Sequence, residues 1–348
     1  MRIAILWNQW SGYMDACARA LQSLTDCSLD IVYFERDPRA PYDTSAFFQY
    51  SCNVLTLDEI ERQVLTDPYD ILLICSWDTP IYRKFAVSAS GRSIRVLCMD
   101  NQWRRTPRQF LGIAAFRLYL RNLFDFAFVA GPRQAVFASH LGFHVSRIIE
   151  GHCSCDDSAF GWDLCQTHSN SSFLFVGRLV VEKGIDVLAG AWARFCEEHH
   201  SSPWRLTIAG TGPQVELLRG LPRVDLLGFV QPAGLPAAMR KAAAFVLPSR
   251  FEPWGIVVHE AAMSGLPLIV TNRCGAADYF LCPGLNGYLV APNSVECLWS
   301  ALNAFVELSP SDRLFMGQRS SLLARRRTPM TWAASVAQVL MRTYKLRN

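Results

Sequence analysis

Glu252 and Glu260, seven residues apart in Arg-Phe-Glu-Pro-Trp-Gly-Ile-Val-Val-His-Glu-Ala-Ala-Met-Ser-Gly-Leu-Pro, are the acidic pair of this 348-residue sequence with the most pointed setting. The apolar run Ala243 to Leu247 predicts a strand. Glu252, Pro253 and Gly255 then form a loop, and Ile256 to Met263 a short helix stopped by Gly265 and Pro267. A helix start carries unsatisfied N–H groups and the positive end of the helix dipole, so the amides around Trp254, Gly255, Ile256 and Val257 favour an anion. Glu260, one turn in, is placed to accept hydrogen bonds from sugar hydroxyls. Phosphate and ribose fit this spacing together, although two acids at a fixed interval also suit a solvated helix face.

Cations follow the same logic. Arg178 ends the apolar strand Phe173 to Val176, and Lys183 lies five residues on at the start of the next helix, so both converge on the carboxyl end of a sheet, where a diphosphate would sit. Gly212-Pro213 is a tight turn at which backbone can approach a ligand. Singly, each residue also reads as surface charge or a plain turn.

Their order along the chain adds a resemblance. Phe175-Val176-Gly177-Arg178-Leu179 with Glu182-Lys183-Gly184 and Asp186, then Ala209-Gly210-Thr211-Gly212-Pro213, then Ala244-Phe245-Val246-Leu247-Pro248-Ser249, precede the glutamate pair. Gly275-Ala276-Ala277-Asp278 and Asn286-Gly287-Tyr288-Leu289-Val290 follow it. This succession resembles glycosyltransferase family 4, whose E-x7-E signature Glu252 and Glu260 match, over roughly half the chain. The resemblance implies an α/β GT-B fold of two doubly wound Rossmann-like domains facing across a cleft, and a retaining transfer of a sugar from a nucleotide-sugar donor to a glycan or lipid-linked acceptor. It also implies that Glu252 touches the donor sugar and Glu260 the ribose. No cofactor or metal is expected, because Arg178, Lys183 and the helix start supply the charge compensation.

The elements around these motifs are those of an α/β protein. Apolar residues make up 51% of the chain and charged residues 18%, enough to bury a core in each of two domains. Strands are predicted at Ile3 to Leu6, Leu29 to Phe34, Ile71 to Cys75, Ile94 to Cys98 and Phe126 to Val129, alternating with helical patterns. After a polar stretch from Gly161 to Ser172 the rhythm resumes at Phe173 to Val176, Arg205 to Ile208, Val224 to Leu227, Phe245 to Leu247 and Leu268 to Val270. The expected domains are therefore 1–165 and 166–325. The segment 326–348 carries Trp332, Val336, Leu340 and Tyr344 on one helical face, and the resemblance implies that it returns to the N-terminal domain.

The first half departs from the family pattern. The family's N-terminal histidine beside the donor sugar has no counterpart, since the first histidine is His140. Asp100, after the strand ending at Cys98, is the candidate to orient a hydroxyl in its place, with capping of a turn as the plain alternative. Ser76 to Asp78 is second choice. Trp10-Ser11-Gly12-Tyr13 resembles, with the single glycine Gly12, the family's loop near the donor phosphate.

From Ile81 to Arg121 nine Arg and Lys face one acid, Asp100, a local balance of +8. Trp103, Phe110, Leu111, Phe116, Leu118 and Tyr119 are interleaved with them. That pattern fits an interfacial helix on an anionic membrane surface, extended by Arg325, Arg326, Arg327, Arg342, Lys345 and Arg347. It equally fits core aromatics beneath a solvated basic face.

Other classes find less support. No G-x-G-x-x-G follows the first strand, against a nicotinamide oxidoreductase, and nothing suggests a nucleic-acid partner. A sugar-nucleotide epimerase or phosphorylase on the same fold, and a non-catalytic sugar-nucleotide-binding subunit, are the alternatives. His152, Cys153, Cys155, Cys165 and His168 lack paired C-x2-C zinc spacing. The twelve scattered cysteines suit a reducing cytosol without disulfides. No signal-peptide core and no spanning stretch is apparent, so the expected location is cytoplasmic or peripheral at the inner membrane face.

Overall fold

The computed structural model describes residues 1–34, 47–161 and 171–347, as backbone alone from 340. It divides into two compact units, Met1–Ser154 with Arg327–Asn348, and Cys155–Arg326. In the first unit, β1 (Arg2–Trp7), β2 (Ser28–Tyr33), β3 (Asn53–Val54), β4 (Ile71–Ile74), β5 (Ile94–Met99), β6 (Phe126–Val129) and β7 (Ile148–Glu150) form a parallel sheet. Its order is β3-β2-β1-β4-β5-β6-β7 among the described residues. Ile3 and Ile5 pack into one core and Ala4 and Leu6 into another. Both sheet faces are thus covered, which is why the strands read as continuous apolar runs rather than alternating ones.

In the second unit β8 (Ser172–Val176), β9 (Arg205–Ala209), β10 (Val224–Gly228), β11 (Ala244–Leu247), β12 (Leu268–Thr271) and β13 (Gly287–Val290) pair in parallel in the order β10-β9-β8-β11-β12-β13. The doubly wound α/β class expected from the sequence holds for each unit. β3 and β7, two and three residues long, escape periodicity because neither presents a full alternation.

The boundary falls between Ser154 and Cys155, ahead of the polar stretch, most of which (162–170) lies outside the described residues. Cys155 donates its N–H to His259 Nδ1 (3.2 Å), and the helix Asp157–Phe160 packs on the helix Ile256–Met263, which ties both to the second unit. The terminal helix Pro329–Arg347 lies against the helix Gly12–Thr25. It buries Trp332, Ala333, Val336 and Val339 in the first unit's core, where Arg327 Nη1 also donates to the Ala130 carbonyl at 2.6 Å.

Candidate functional site

In the second unit β8 neighbours both β9 and β11, so the chain leaves the ends of β8 and β11 toward opposite sides and opens a crevice at their carboxyl ends. The single turn Val181–Lys183 fills the start of that crevice. Gly184 follows with φ +68°, and a Cβ there would lie 2.3 Å from the Pro248 carbonyl oxygen; only glycine lets the two loops come this close. Arg250 locks them. Its guanidinium donates to both Asp186 oxygens (2.7 and 2.6 Å) and to the Val181 carbonyl (2.7 Å), while its N–H donates to the Glu182 carbonyl (2.8 Å). The bidentate bond from Arg250 holds the Asp186 carboxyl below the usual carboxylate range. Sequence reading missed Arg250 and placed Asp186 in the donor motif; in the structure the Asp186 carboxyl is the partner of Arg250.

The clamp brings Lys183 Nζ onto Glu252 Oε2 as an ion pair, with side chains 15% and 13% exposed. Glu252 is fixed on the other side by bonds of its N–H to the Arg273 carbonyl and of its carbonyl to the Gly275 N–H, each 3.2 Å. The helix Ile256–Met263 begins directly after Gly255, as expected. Gly255 has φ +89°, and a Cβ there would meet Glu252 Cγ at 2.8 Å and Cys274 Sγ at 2.9 Å. A helix start with half-buried Ile256 and Val257 is thereby set beside the Glu252 carboxylate.

Trp254 offers backbone only. Its indole is 2% exposed and packs against Tyr279 and Phe280, with ring centroids 5.9 and 6.1 Å away. Glu260 is half-buried, and its carboxyl is pushed up to about 7 by desolvation and then by the charge of Asp156. His259 between them is structural: Nδ1 accepts the Cys155 N–H, Nε2 faces the Ala324 carbonyl at 3.1 Å, and the ring stacks on Phe280 at 4.1 Å.

Arg178 is exposed at the end of β8 and takes part in no ion pair among the described residues. The loops after β8 and β9 are zipped by the Gly177 N–H to the Ala209 carbonyl (3.0 Å) and the Leu179 N–H to the Thr211 carbonyl (2.8 Å). A Cβ on Gly212 would fall 2.4 Å from the Leu179 carbonyl oxygen, so this glycine serves a backbone crossing.

The first unit has its own cavity of about 300 Å³ beyond the ends of β1, β4, β5 and β7, where its strand order reverses. Asp100 lines it with Trp7, Ser11, Tyr13 and His152. Gly12 opens the helix beside it. Ser76 and Asp78, the second choice, are spent on a local turn in which Ser76 Oγ donates to Asp78 and accepts from Thr79 Oγ1 (2.8 Å). His152 was weighed only as a zinc ligand. Among the described residues no three or more His, Cys, Asp or Glu side chains gather to hold a metal; Cys165 and His168 lie outside them. The described cysteines are free thiols.

The basic stretch separates into two populations. Arg95 is buried and chelates Asp125 (3.0 and 3.1 Å), Arg92 donates to the Leu65 carbonyl (2.9 Å), and Lys84 pairs with Glu61. Arg117 and Arg121 bond the carbonyls of His140 (2.8 Å) and Gly142 (3.0 Å). Phe116 is core, packed on Trp77 at 4.6 Å. By contrast Phe110, Leu111, Leu118 and Tyr119 are 57–79% exposed along the helix Pro107–Ala115 and the π-helical turn Phe116–Leu120, with Arg104, Arg105 and Arg108 exposed at its start. No helix among the described residues is long and apolar enough to cross a membrane.

Two Rossmann-like units, each with its crevice at a strand-order reversal, define the GT-B class of fold. The structure of HepE from Anabaena, solved with UDP and glucose, has a TM-score of 0.75 at 16% identity, covering 98% of this chain and 99% of that one. Sucrose-phosphate synthase from Thermosynechococcus elongatus has a TM-score of 0.76 at 16% identity, covering 99% of each. Residues 170–307 match the family model described as Glycosyl transferases group 1. Glycogen synthase of Mycobacterium tuberculosis is 33% identical over 183 residues, 49% of this chain and 42% of that protein, so the chain spans less than half the length of this curated relative.

Proposed function

We propose that this protein transfers a sugar, with retention, from a nucleotide-sugar donor to an acceptor hydroxyl of a glycan or a lipid-linked glycan. The observation that carries the reading is the meeting of Lys183, Glu252 and the Gly255 helix start at one crevice. Leaving-group departure needs fixed positive charge, which Arg178, Lys183 and the amides of Ile256 and Val257 supply. These groups take the role a divalent ion plays elsewhere, and no cofactor is required. Glu252 holds Lys183 toward the diphosphate and stabilises charge at the donor sugar. A front-face reaction, with the leaving phosphate accepting the acceptor proton, needs no strong protein base. Glu260 meets the ribose, and Asp100 orients a sugar hydroxyl.

A thermal-shift panel of nucleotide sugars tests this, since a ligand at a hundred times its dissociation constant stabilises by about 2.7 kcal/mol. One compound should raise the melting temperature of wild type and fail to raise that of Lys183→Ala. No shift with any nucleotide sugar would reject the reading.

The exposed Phe110, Leu111, Leu118 and Tyr119 beside Arg104, Arg105 and Arg108 support docking at the anionic inner face of a membrane, where a lipid-linked acceptor resides. Sedimentation with anionic vesicles should fall with salt and with Arg104→Glu, Arg105→Glu, Arg108→Glu. Failure to sediment at low salt would leave a water-borne glycan as acceptor.

A further inference from the structure

The segment that follows β12 runs alongside the loop that follows β11, and the two are joined as a short backbone ladder. Glu252 and Cys274 are bridge partners in it. The Glu252 N–H donates to the Arg273 carbonyl (3.2 Å), the Gly275 N–H to the Glu252 carbonyl (3.2 Å) and the Ala276 N–H to the Trp254 carbonyl (2.8 Å). Thr271 anchors the far side: its hydroxyl donates to the Ser249 carbonyl at 2.6 Å, and its own carbonyl accepts the Cys274 N–H at 3.2 Å.

The buried thiol of Cys274 adds a side-chain bond to that ladder. Its Sγ donates to the Trp254 carbonyl at 3.1 Å, so one oxygen takes both the Ala276 N–H and the Cys274 S–H on its two lone pairs. The sulfur also occupies the space that Gly255 leaves open, since a Cβ on Gly255 would lie 2.9 Å from it. Trp254 and Gly255 are the last two residues before the helix Ile256–Met263. Cys274 therefore holds the link between the Glu252 carboxylate and the helix start.

The thiol is a donor and a spacer rather than a nucleophile. Burial first, and then the charge of Glu252, push it up to about 12, so it stays protonated and keeps the S–H that bonds Trp254. Cysteine is small enough to pack against a glycine and still carries a weak donor. Alanine and valine lack the donor, whereas serine keeps one.

We propose that Cys274 is a positioning residue for sugar transfer: its thiol sets the turn through Trp254 and Gly255, and with it the alignment of Glu252 and the helix start. The proposal rests on the sugar-transfer reading and on Glu252 acting at the donor sugar.

The test is a mutant cycle in the full chain. Cys274→Ala and Cys274→Val are each made in wild type and in Glu252→Gln, with Cys274→Ser beside them. Turnover is measured with the nucleotide sugar that gives the largest thermal shift and a glycolipid and glycan extract, and nucleoside diphosphate binding by calorimetry. Loss of the S–H should lower kcat about tenfold, the scale of a small misplacement, with the donor KM and the diphosphate Kd within about twofold. Cys274→Ser should return kcat to within about threefold of wild type. In Glu252→Gln the same losses should shrink to less than about twofold, because the group being aligned is already gone. Two donor-less variants keep the comparison open should one not fold. Wild-type kcat in a folded Cys274→Ala or Cys274→Val, or an equal loss with and without the Glu252 carboxylate, would overturn the role and leave Cys274 as core packing. Absence of transfer by wild type would reject the sugar-transfer reading, and this role with it, so the two failures fall on different proteins.

Discussion

Lys183 and Glu252 lie 69 positions apart in sequence and meet as a largely buried ion pair at the carboxyl ends of two adjacent parallel strands. Each side chain holds the other in place. Glu252→Gln keeps an oxygen that can accept from the Lys183 ammonium, so nucleoside diphosphate affinity should hold while kcat falls, about tenfold or more. Lys183→Ala should weaken that affinity by about 1.5–3 kcal/mol and lower stability too, because it takes the ammonium away from a carboxylate that is mostly out of water. Steady-state kinetics beside calorimetry separates the two; weaker diphosphate binding in Glu252→Gln with kcat intact would reverse the assignment.

Arg178 is exposed, so its role is separable from folding. Arg178→Ala should leave the melting temperature within a degree or two, the scale of surface substitutions, yet weaken diphosphate binding by about 1.5–3 kcal/mol. Unchanged affinity in calorimetry would take Arg178 out of the donor site.

What the sequence made legible and what it hid divide along physical lines. The helix Ile256–Met263 was read to the residue because Gly255, Gly265 and Pro267 punctuate it locally. The Lys183–Glu252 pair is not local; it follows from β8 and β11 being neighbours, which no spacing announces. Arg95 counted as surface charge because charge says nothing of burial, and Asp125 pairs with it from another strand end. The setting of His152 stayed hidden because β7 is three residues long, the ring packs on Trp7 and Phe128, and its backbone carbonyl is held by Trp332.

The clamp between Arg250 and Asp186 is predicted to position rather than to bind. Arg250→Ala should cost on the order of 1 kcal/mol of stability, as expected of a partly exposed ion pair, and slow turnover by loosening Lys183. The Asp186 carboxyl is depressed in the folded state, so its contribution is present above its unfolded value and is lost as pH falls through the lower folded one. Urea melts at acid pH should therefore show wild type and Arg250→Ala converging. A constant gap down to the lowest pH would show that the ion pair is not the cause.

Glu260 makes the opposite pH prediction. Its folded carboxyl titrates at about 7, above the unfolded value, so between the two the folded chain binds more protons and stability falls as pH rises. Glu260→Gln should remove that slope, matching wild type at roughly pH 4 and exceeding it by on the order of 2 kcal/mol at pH 8, while weakening nucleoside diphosphate binding. Parallel stability profiles for the two proteins would refute the raised titration.

Sugar transfer itself is tested most directly by nucleoside diphosphate release. The donor that gives the largest thermal shift is incubated with a glycolipid and glycan extract, and the diphosphate is quantified for wild type and Glu252→Gln. Release should require both donor and extract, appear with a new sugar-bearing product, and drop about tenfold or more in Glu252→Gln. Release that is independent of the extract, or equal in the two proteins, would contradict a transferase built around Lys183 and Glu252.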